Sequence, residues 1–208
     1  MLEAEGLTCS KGTRLLFEDV SFQLRAGQLL RVTAPNGQGK TSLLRILCGL
    51  MRPDAGTVRW RGTDIHRLGP AFRQHLLYLG HADALADSLT PLENLRFLCQ
   101  AQADAVSTAA CRDALCQMNL AAMLDLPARV LSRGQRRRVM LARLSLRPAR
   151  PLWILDEPFN LLDAATVATL TRTLASQCDS GGRVLLTTHQ EIAFDRPVHT
   201  LDLGPDTP

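Results

Sequence analysis

Aromatic side chains are scarce in this chain: two tryptophans, one tyrosine and six phenylalanines among 208 residues. That is too few for a base-stacking platform, and a net charge of only +4 adds no argument for nucleic acid. Mild basicity is compatible with an anionic ligand or an anionic membrane surface. Paired cysteines are missing as well. Cys9, Cys48, Cys99, Cys111, Cys116 and Cys178 are scattered, with no C-x-x-C and no Cys/His spacing that suits zinc. The expectation is six free thiols in a reducing compartment. No apolar run approaches the ~18 residues that a membrane-spanning helix needs. Met1-Leu2-Glu3-Ala4-Glu5 is acidic and lacks the basic and apolar regions of a secretory leader. There is no repeat and no low-complexity segment. What remains is an ordinary globule, 46% apolar and 21% charged, long enough for one domain.

One stretch stands out. Ala34-Pro35-Asn36-Gly37-Gln38-Gly39-Lys40-Thr41, followed by Ser42, lies between an apolar strand pattern, Leu29 to Thr33, and a helical one, Thr41 to Leu50. Strand, glycine-rich turn, Lys-Thr and helix is the order of a phosphate-binding loop. Glycines let several N–H groups converge on one concavity, and the helix adds unpaired amides and the positive end of its dipole. Lys40 would bring an ammonium to the outer phosphates and Thr41 a hydroxyl to Mg²⁺. The usual first glycine is Ala34 here, and its methyl disfavours positive φ, so the entry to the turn is expected to be slightly altered.

Around this loop the pattern alternates. Short strands are expected at 2–7, 21–24, 29–33, 57–60 and 76–79. From about 88 to 148 the periodicity is helical. Thr90-Pro91-Leu92-Glu93 forms a capping box with proline at the first helical position, opening a helix to about Gln102. Ser107 caps a second helix through Met118. Ser132 caps a third, about Gly134 to Leu146, stopped before Pro148. Strands return at 152–155, 183–187 and 198–203, with a helix from the Asp163 cap to about Cys178. The tail from Gly204 is expected to fray.

The strand Leu152-Trp153-Ile154-Leu155 ends in Asp156-Glu157. A buried parallel strand delivers its last residues to the ligand edge of an open sheet. Asp156 suits a Mg²⁺ shell, and Glu157 can hold an attacking water as general base. Leu131-Ser132-Arg133-Gly134-Gln135 then makes the chain resemble the ATP-binding cassette family, whose signature is L-S-G-G-Q. The resemblance covers essentially the whole chain and is carried by three motifs together. It implies a P-loop α/β fold: a core with a mixed sheet, an N-terminal antiparallel β subdomain and an inserted helical subdomain. The chain 1–208 would be one ATP-binding domain, core about 1–87 and 149–208, helical part about 88–148.

The resemblance also implies roles. ATP and Mg²⁺ would be bound by residues 34–42 with Thr41 and Asp156. Lys40, Glu157 and His189 would carry hydrolysis, His189 being the γ-phosphate contact after a strand. The signature residues Leu131, Ser132, Arg133, Gly134 and Gln135 would close on ATP held by a second copy, and Asp163 would lie in the D-loop at that seam. His81 falls where the family has a glutamine that reaches Mg²⁺ and senses the membrane partner; imidazole can ligate, so His81 is a further metal candidate. Lys11 takes the place of the aromatic that stacks on adenine. Arg136, Arg137 and Arg138 cannot share one helix face and read as solvated surface with some partner contacts.

Within the family, Leu79-Gly80-His81, Trp153 to Phe159 and Leu186 to Gln190 look most like the ATP-binding subunits of bacterial haem exporters of cytochrome c biogenesis. That branch implies a homodimer, an integral membrane permease, a haem-chaperone complex, no nucleic acid, and a peripheral place on the cytoplasmic face of the inner membrane. Nothing in the chain resembles a haem-attachment site. The alternatives are a cassette serving another substrate, a soluble cassette acting on nucleic acid or ribosomes, and a catalytically dead regulatory module.

Overall fold

A computed structural model describes residues 1–101, 105–146 and 150–204. The chain divides into two compact units. The first holds Met1–Gly80, Arg150–Pro158 and Gln177–Pro208; the second holds His81–Ala149 and Phe159–Ser176.

The expected N-terminal antiparallel sheet and a separate core sheet, parallel where a mixed one was expected, both lie in the first unit. β1 (Leu2–Lys11) pairs antiparallel with β2 (Arg14–Leu24) and with β4 (Ala55–Trp60), which pairs with β5 (Thr63–Asp64). Leu2, Ala4, Leu7 and Cys9 are buried. Their spacing breaks at Gly6, which takes φ +59° where the pairing register shifts. Gly56 faces this irregularity, and a Cβ there would run into the carbonyls of Glu5 and Gly6. β2 starts seven residues before the expected strand, because Phe17 is buried against the core although its neighbours Arg14 and Leu15 are exposed.

The second sheet is parallel throughout: β6 (Leu76–Leu79), β7 (Leu152–Leu155), β8 (Arg183–Thr187), β3 (Leu29–Thr33) and β9 (Val198–Asp202), in that order. β7 is buried at all four positions and β8 at four of five. This is the continuous apolar run of strands covered on both faces. β8 sits between β7 and β3, with Leu155 level with Leu186 and Val32 level with Thr187. Three strand ends are therefore brought side by side. α1 (Lys40–Leu47) buries Leu43, Leu44, Ile46 and Leu47 in the core, each worth roughly 1.5–3 kcal/mol of transfer free energy. Two short helices that the pattern did not announce, α2 (Ile65–Leu68) and α3 (Pro70–Gln74), lead into β6.

The second unit packs α4 (Pro91–Gln100), α5 (Thr108–Gln117) and α6 (Arg133–Ser145) on one another. Each begins at its expected cap: Thr90 with Glu93 as a capping box, Ser107, and Ser132 with Gln135 as a second box. The expected end at Gln102, the stop at Pro148 and the tail beyond Gly204 lie outside the described residues. Asn94 is buried, and its side chain secures the turn before α4. Its oxygen accepts from the Ala86 amide at 2.8 Å, and its nitrogen reaches the carbonyls of Ala86, Leu89 and Thr90. α7 (Ala164–Asp179) begins in this unit and ends in the first. Among the described residues no helix is long and apolar enough to cross a membrane.

Candidate functional site

The phosphate loop runs from the end of β3 into α1. Gly37 and Gly39 take φ +78° and +87°, left-handed values that cost a glycine nothing. Gly39 has a second reason to lack a side chain. A Cβ there would sit 2.9 Å from Phe17 Cδ1 and 3.0 Å from Leu16 Cβ, because β2 presses on the loop. Ala34 does not need the left-handed region, so its methyl leaves the entry to the turn unstrained. No side chain caps α1, whose N-cap is Gly39, so its first amides stay available to an anion.

Lys40 is buried, and its Nζ donates to the Ala34 carbonyl at 2.7 Å and to that of Pro35 at 3.4 Å. The ammonium thus lies back along its own loop. Burial lowers its pKa, while the carboxylates of Glu157 and Asp156 pull in the opposite direction.

Asp156 and Glu157 follow β7, and Thr187 closes β8, with Thr188 and His189 just beyond it. Asp156 is 1% exposed and accepts at both oxygens: from Thr41 Oγ1 at 2.9 Å and from Thr187 Oγ1 at 2.9 Å. Thr187 in turn accepts from the Glu157 amide at 2.8 Å. Glu157 sits at φ +49°, strained for a residue with a Cβ, and its Oε1 is 3.3 Å from Nε2 of the half-exposed His189. The structure thus brings Lys40, Thr41, Asp156, Glu157 and His189 into one neighbourhood. Thr187, fully buried, is the residue that the motif reading passed over. Its signal was a hydroxyl ending the otherwise apolar run Val184-Leu185-Leu186.

Thr41 and Asp156 offer only hard oxygen donors, the set that Mg²⁺ prefers; the short hydroxyl–carboxylate contact between them marks where such donors converge. Among the described residues no group of three or more His, Cys, Asp or Glu gathers as a metal cluster. His81 is exposed in the turn that opens the second unit.

The signature stretch is a separate construction in the second unit. Ser132 Oγ accepts from the Gln135 amide at 3.2 Å, and Gln135 Oε1 accepts from the Ser132 amide at 2.7 Å. Leu131 is buried, whereas Ser132 and Arg133 are exposed. Gly134 is obligatory in packing terms, because a Cβ would lie 2.8 Å from the Leu161 carbonyl. The Asn160–Asp163 turn therefore lies directly against the start of α6. Asp163 caps α7 through the Thr166 amide at 2.8 Å, and that bond holds its carboxyl below the usual value. Arg138 lies 3.6 Å from Asp163. The three arginines are not the solvated surface expected of them. Arg137 is buried, Arg136 pairs with Asp87 at 2.7 Å and reaches the Ala128 carbonyl, and Arg138 also donates to the Met118 carbonyl.

A glycine-rich loop on the end of one parallel strand, a Thr-His after the strand beside it and paired carboxylates after the strand beyond that define a P-loop nucleotide hydrolase. The chain belongs to the ABC transporter family as one of its ATPases; the model of that family, described as ABC transporter, matches residues 17–160. Among curated relatives, it is 59% identical over 204 residues to the cytochrome c biogenesis ATP-binding export protein CcmA of Aromatoleum aromaticum, covering 98% of this chain and 95% of that one. It is 48% identical to the protein of the same name from Escherichia coli K12, over 92% of this chain and 90% of that one. A solved ATP-binding subunit of an ABC transporter is 29% identical, with TM-score 0.77 over 91% of this chain and 79% of that one. A bacterial ABC transporter cassette solved as a dimer gives TM-score 0.83 over 97% of this chain and 94% of that one. At 21% identity it speaks for the fold.

Proposed function

We propose that this chain is the ATP-hydrolysing subunit of a membrane complex that energises haem delivery for cytochrome c maturation. The observation that carries the branch is the near-full-length 59% identity to a cytochrome c biogenesis ATP-binding export protein. In this reading the chain 1–208 acts as one ATP-binding domain, peripheral on the cytoplasmic face of the inner membrane. It pairs with a second copy, with an integral permease and with a haem-chaperone complex.

Two copies hold two ATP molecules, each between residues 34–42 of one copy and Ser132, Arg133, Gly134 and Gln135 of the other. Lys40 swings from the Ala34 carbonyl onto the outer phosphates, exchanging a neutral acceptor for a charged one. The loop amides and the start of α1 take the remaining phosphate oxygens. Thr41 and Asp156 would hold Mg²⁺, which when bound neutralises charge on the phosphate oxygens. Glu157 accepts the proton of the attacking water, oriented by His189 at 3.3 Å. Thr187 fixes both the Asp156 carboxylate and the Glu157 backbone. In its mate's seam, Ser132 offers its hydroxyl proton to the γ-phosphate, and Asp163 supports the turn packed on Gly134. Hydrolysis removes the ligand that favours the closed pair, and the change passes to the permease through the loop at His81 and the helical unit. ATP exerts only as much leverage as its preference for closed over open.

The test is purification of the Glu157→Gln chain from native membranes with ATP present, followed by identification of bound proteins. A permease of cytochrome c biogenesis together with a haem chaperone is expected. A permease dedicated to a different substrate would overturn the haem branch and leave the ATPase intact.

A further inference from the structure

Arg183 opens β8, at the opposite end of that strand from Thr187, and there the first unit gathers cations around one indole. Trp60 closes β4 and is 2% exposed. The Cζ of Arg183 lies 5.1 Å from the centre of its ring and that of Arg61 5.5 Å. The rings of Phe72 and His75 complete the surround, at 6.1 and 5.9 Å. Leu2 pairs with Trp60, and the Arg61 amide donates to the Met1 carbonyl at 2.9 Å, which fixes the backbone at this corner.

This corner is built of donors. Guanidinium and indole N–H groups accept nothing. Trp60 Nε1 and Arg183 Nε are buried and have no hydrogen-bond partner. Among the described residues neither Arg61 nor Arg183 is paired with a carboxylate, whereas Arg59, Arg136 and Arg196 each find one. Cation–π attraction can hold a guanidinium over a ring, but it leaves the in-plane N–H groups unanswered. The charges also repel one another. The pKa of Arg183 is lowered by burial and by Arg61. An arrangement of like charges and orphaned buried donors is costly unless an acceptor of negative charge completes it.

We propose that Trp60, Arg61 and Arg183 form a binding site for a phosphate-type oxyanion, separate from the nucleotide site. Two guanidinium forks and an indole N–H border this corner. That suits a tetrahedral group with several acceptor oxygens better than a planar carboxylate with two. Free phosphate, a soluble phosphate monoester and the headgroup of an anionic lipid share this chemistry.

Trp60 is its own reporter. In a Trp153→Phe, Lys40→Ala chain it is the one remaining tryptophan, and the main phosphate cradle is disabled. Titration with inorganic phosphate at constant ionic strength, with chloride as control, is expected to change its emission saturably. A parallel titration uses phosphatidylcholine vesicles with and without phosphatidylglycerol. A response to phosphate assigns a soluble anion; a response confined to the anionic vesicles assigns a lipid headgroup. Arg61→Gln should weaken the response roughly tenfold or more, the worth of one charge-assisted hydrogen bond, and Arg61→Gln with Arg183→Gln should remove it. Equilibrium dialysis of labelled phosphate and co-sedimentation with the same vesicles, on Lys40→Ala chains with and without the two arginine changes, give the same readings should Trp153→Phe fail to fold. No saturable response to either probe, or one that survives loss of both arginines, overturns the proposal.

Discussion

Around Asp156, hydrogen bonds join residues 115, 31 and 30 positions apart in the chain. Around Ser132, the capping bonds close within three. The first arrangement exists only after three parallel strands have been set in register. The second is complete as soon as one turn of helix forms. The difference bears on mechanism. In the proposed reading, the bonds that hold Asp156 and the Glu157 backbone leave them little to reorganise in the chemical step. The Ser132 turn satisfies itself locally and keeps an exposed hydroxyl, whose proton has no acceptor among the described residues. In the proposed reading this turn is the half-site that one copy offers to the nucleotide of the other.

The comparison predicts unequal responses to substitution. Lys40→Ala should have the largest effect, ATPase activity falling to background in a phosphate-release assay with nucleotide binding weakened; normal turnover would refute the phosphate-loop assignment. Thr187→Val comes next. It keeps the shape of the side chain but removes the hydroxyl shared by Asp156 and the Glu157 amide. A support of this kind is worth ~10–100-fold in activity, and the lost buried bonds ~1–3 kcal/mol in stability, read by denaturant unfolding. Equal activity in Thr187→Val would mean that the long-range network is structural only. Ser132→Ala should cost the least in stability, about 1 kcal/mol for a lost helix cap. It should suppress hydrolysis more than ATP binding by the isolated chain. A large loss of monomer binding would instead place Ser132 and Lys40 on the same nucleotide within one chain.

The same contrast explains what could be read from the residues in advance. Local chemistry was legible: the loop glycines, the caps at Thr90, Ser107 and Ser132, and the apolar strand ending in Asp156-Glu157. Features set by tertiary contact were not. β2 extends back to Arg14 because Phe17 packs on the core and on Gly39, which no periodicity in Arg14-Leu15-Leu16 announces. Arg136 and Arg138 of α6 looked solvated because their partners, Asp87, Ala128, Met118 and Asp163, lie 8 to 49 positions away in the chain. Thr187 carried a signal of its type but not of its partners. The obligatory glycine at 134 is explained only by the Leu161 carbonyl beside it.

The central claim is that each catalytic pocket is shared between two copies. Mixing two inactive chains tests it most directly. Lys40→Ala supplies a sound signature with a dead loop, and Ser132→Arg a sound loop with a blocked signature. In a mixed pair one pocket receives the sound loop and the sound signature together. The account predicts that ATP hydrolysis by the mixture rises well above the sum of the two chains assayed separately. Activity equal to that sum, in a mixture shown to contain mixed pairs, would contradict it.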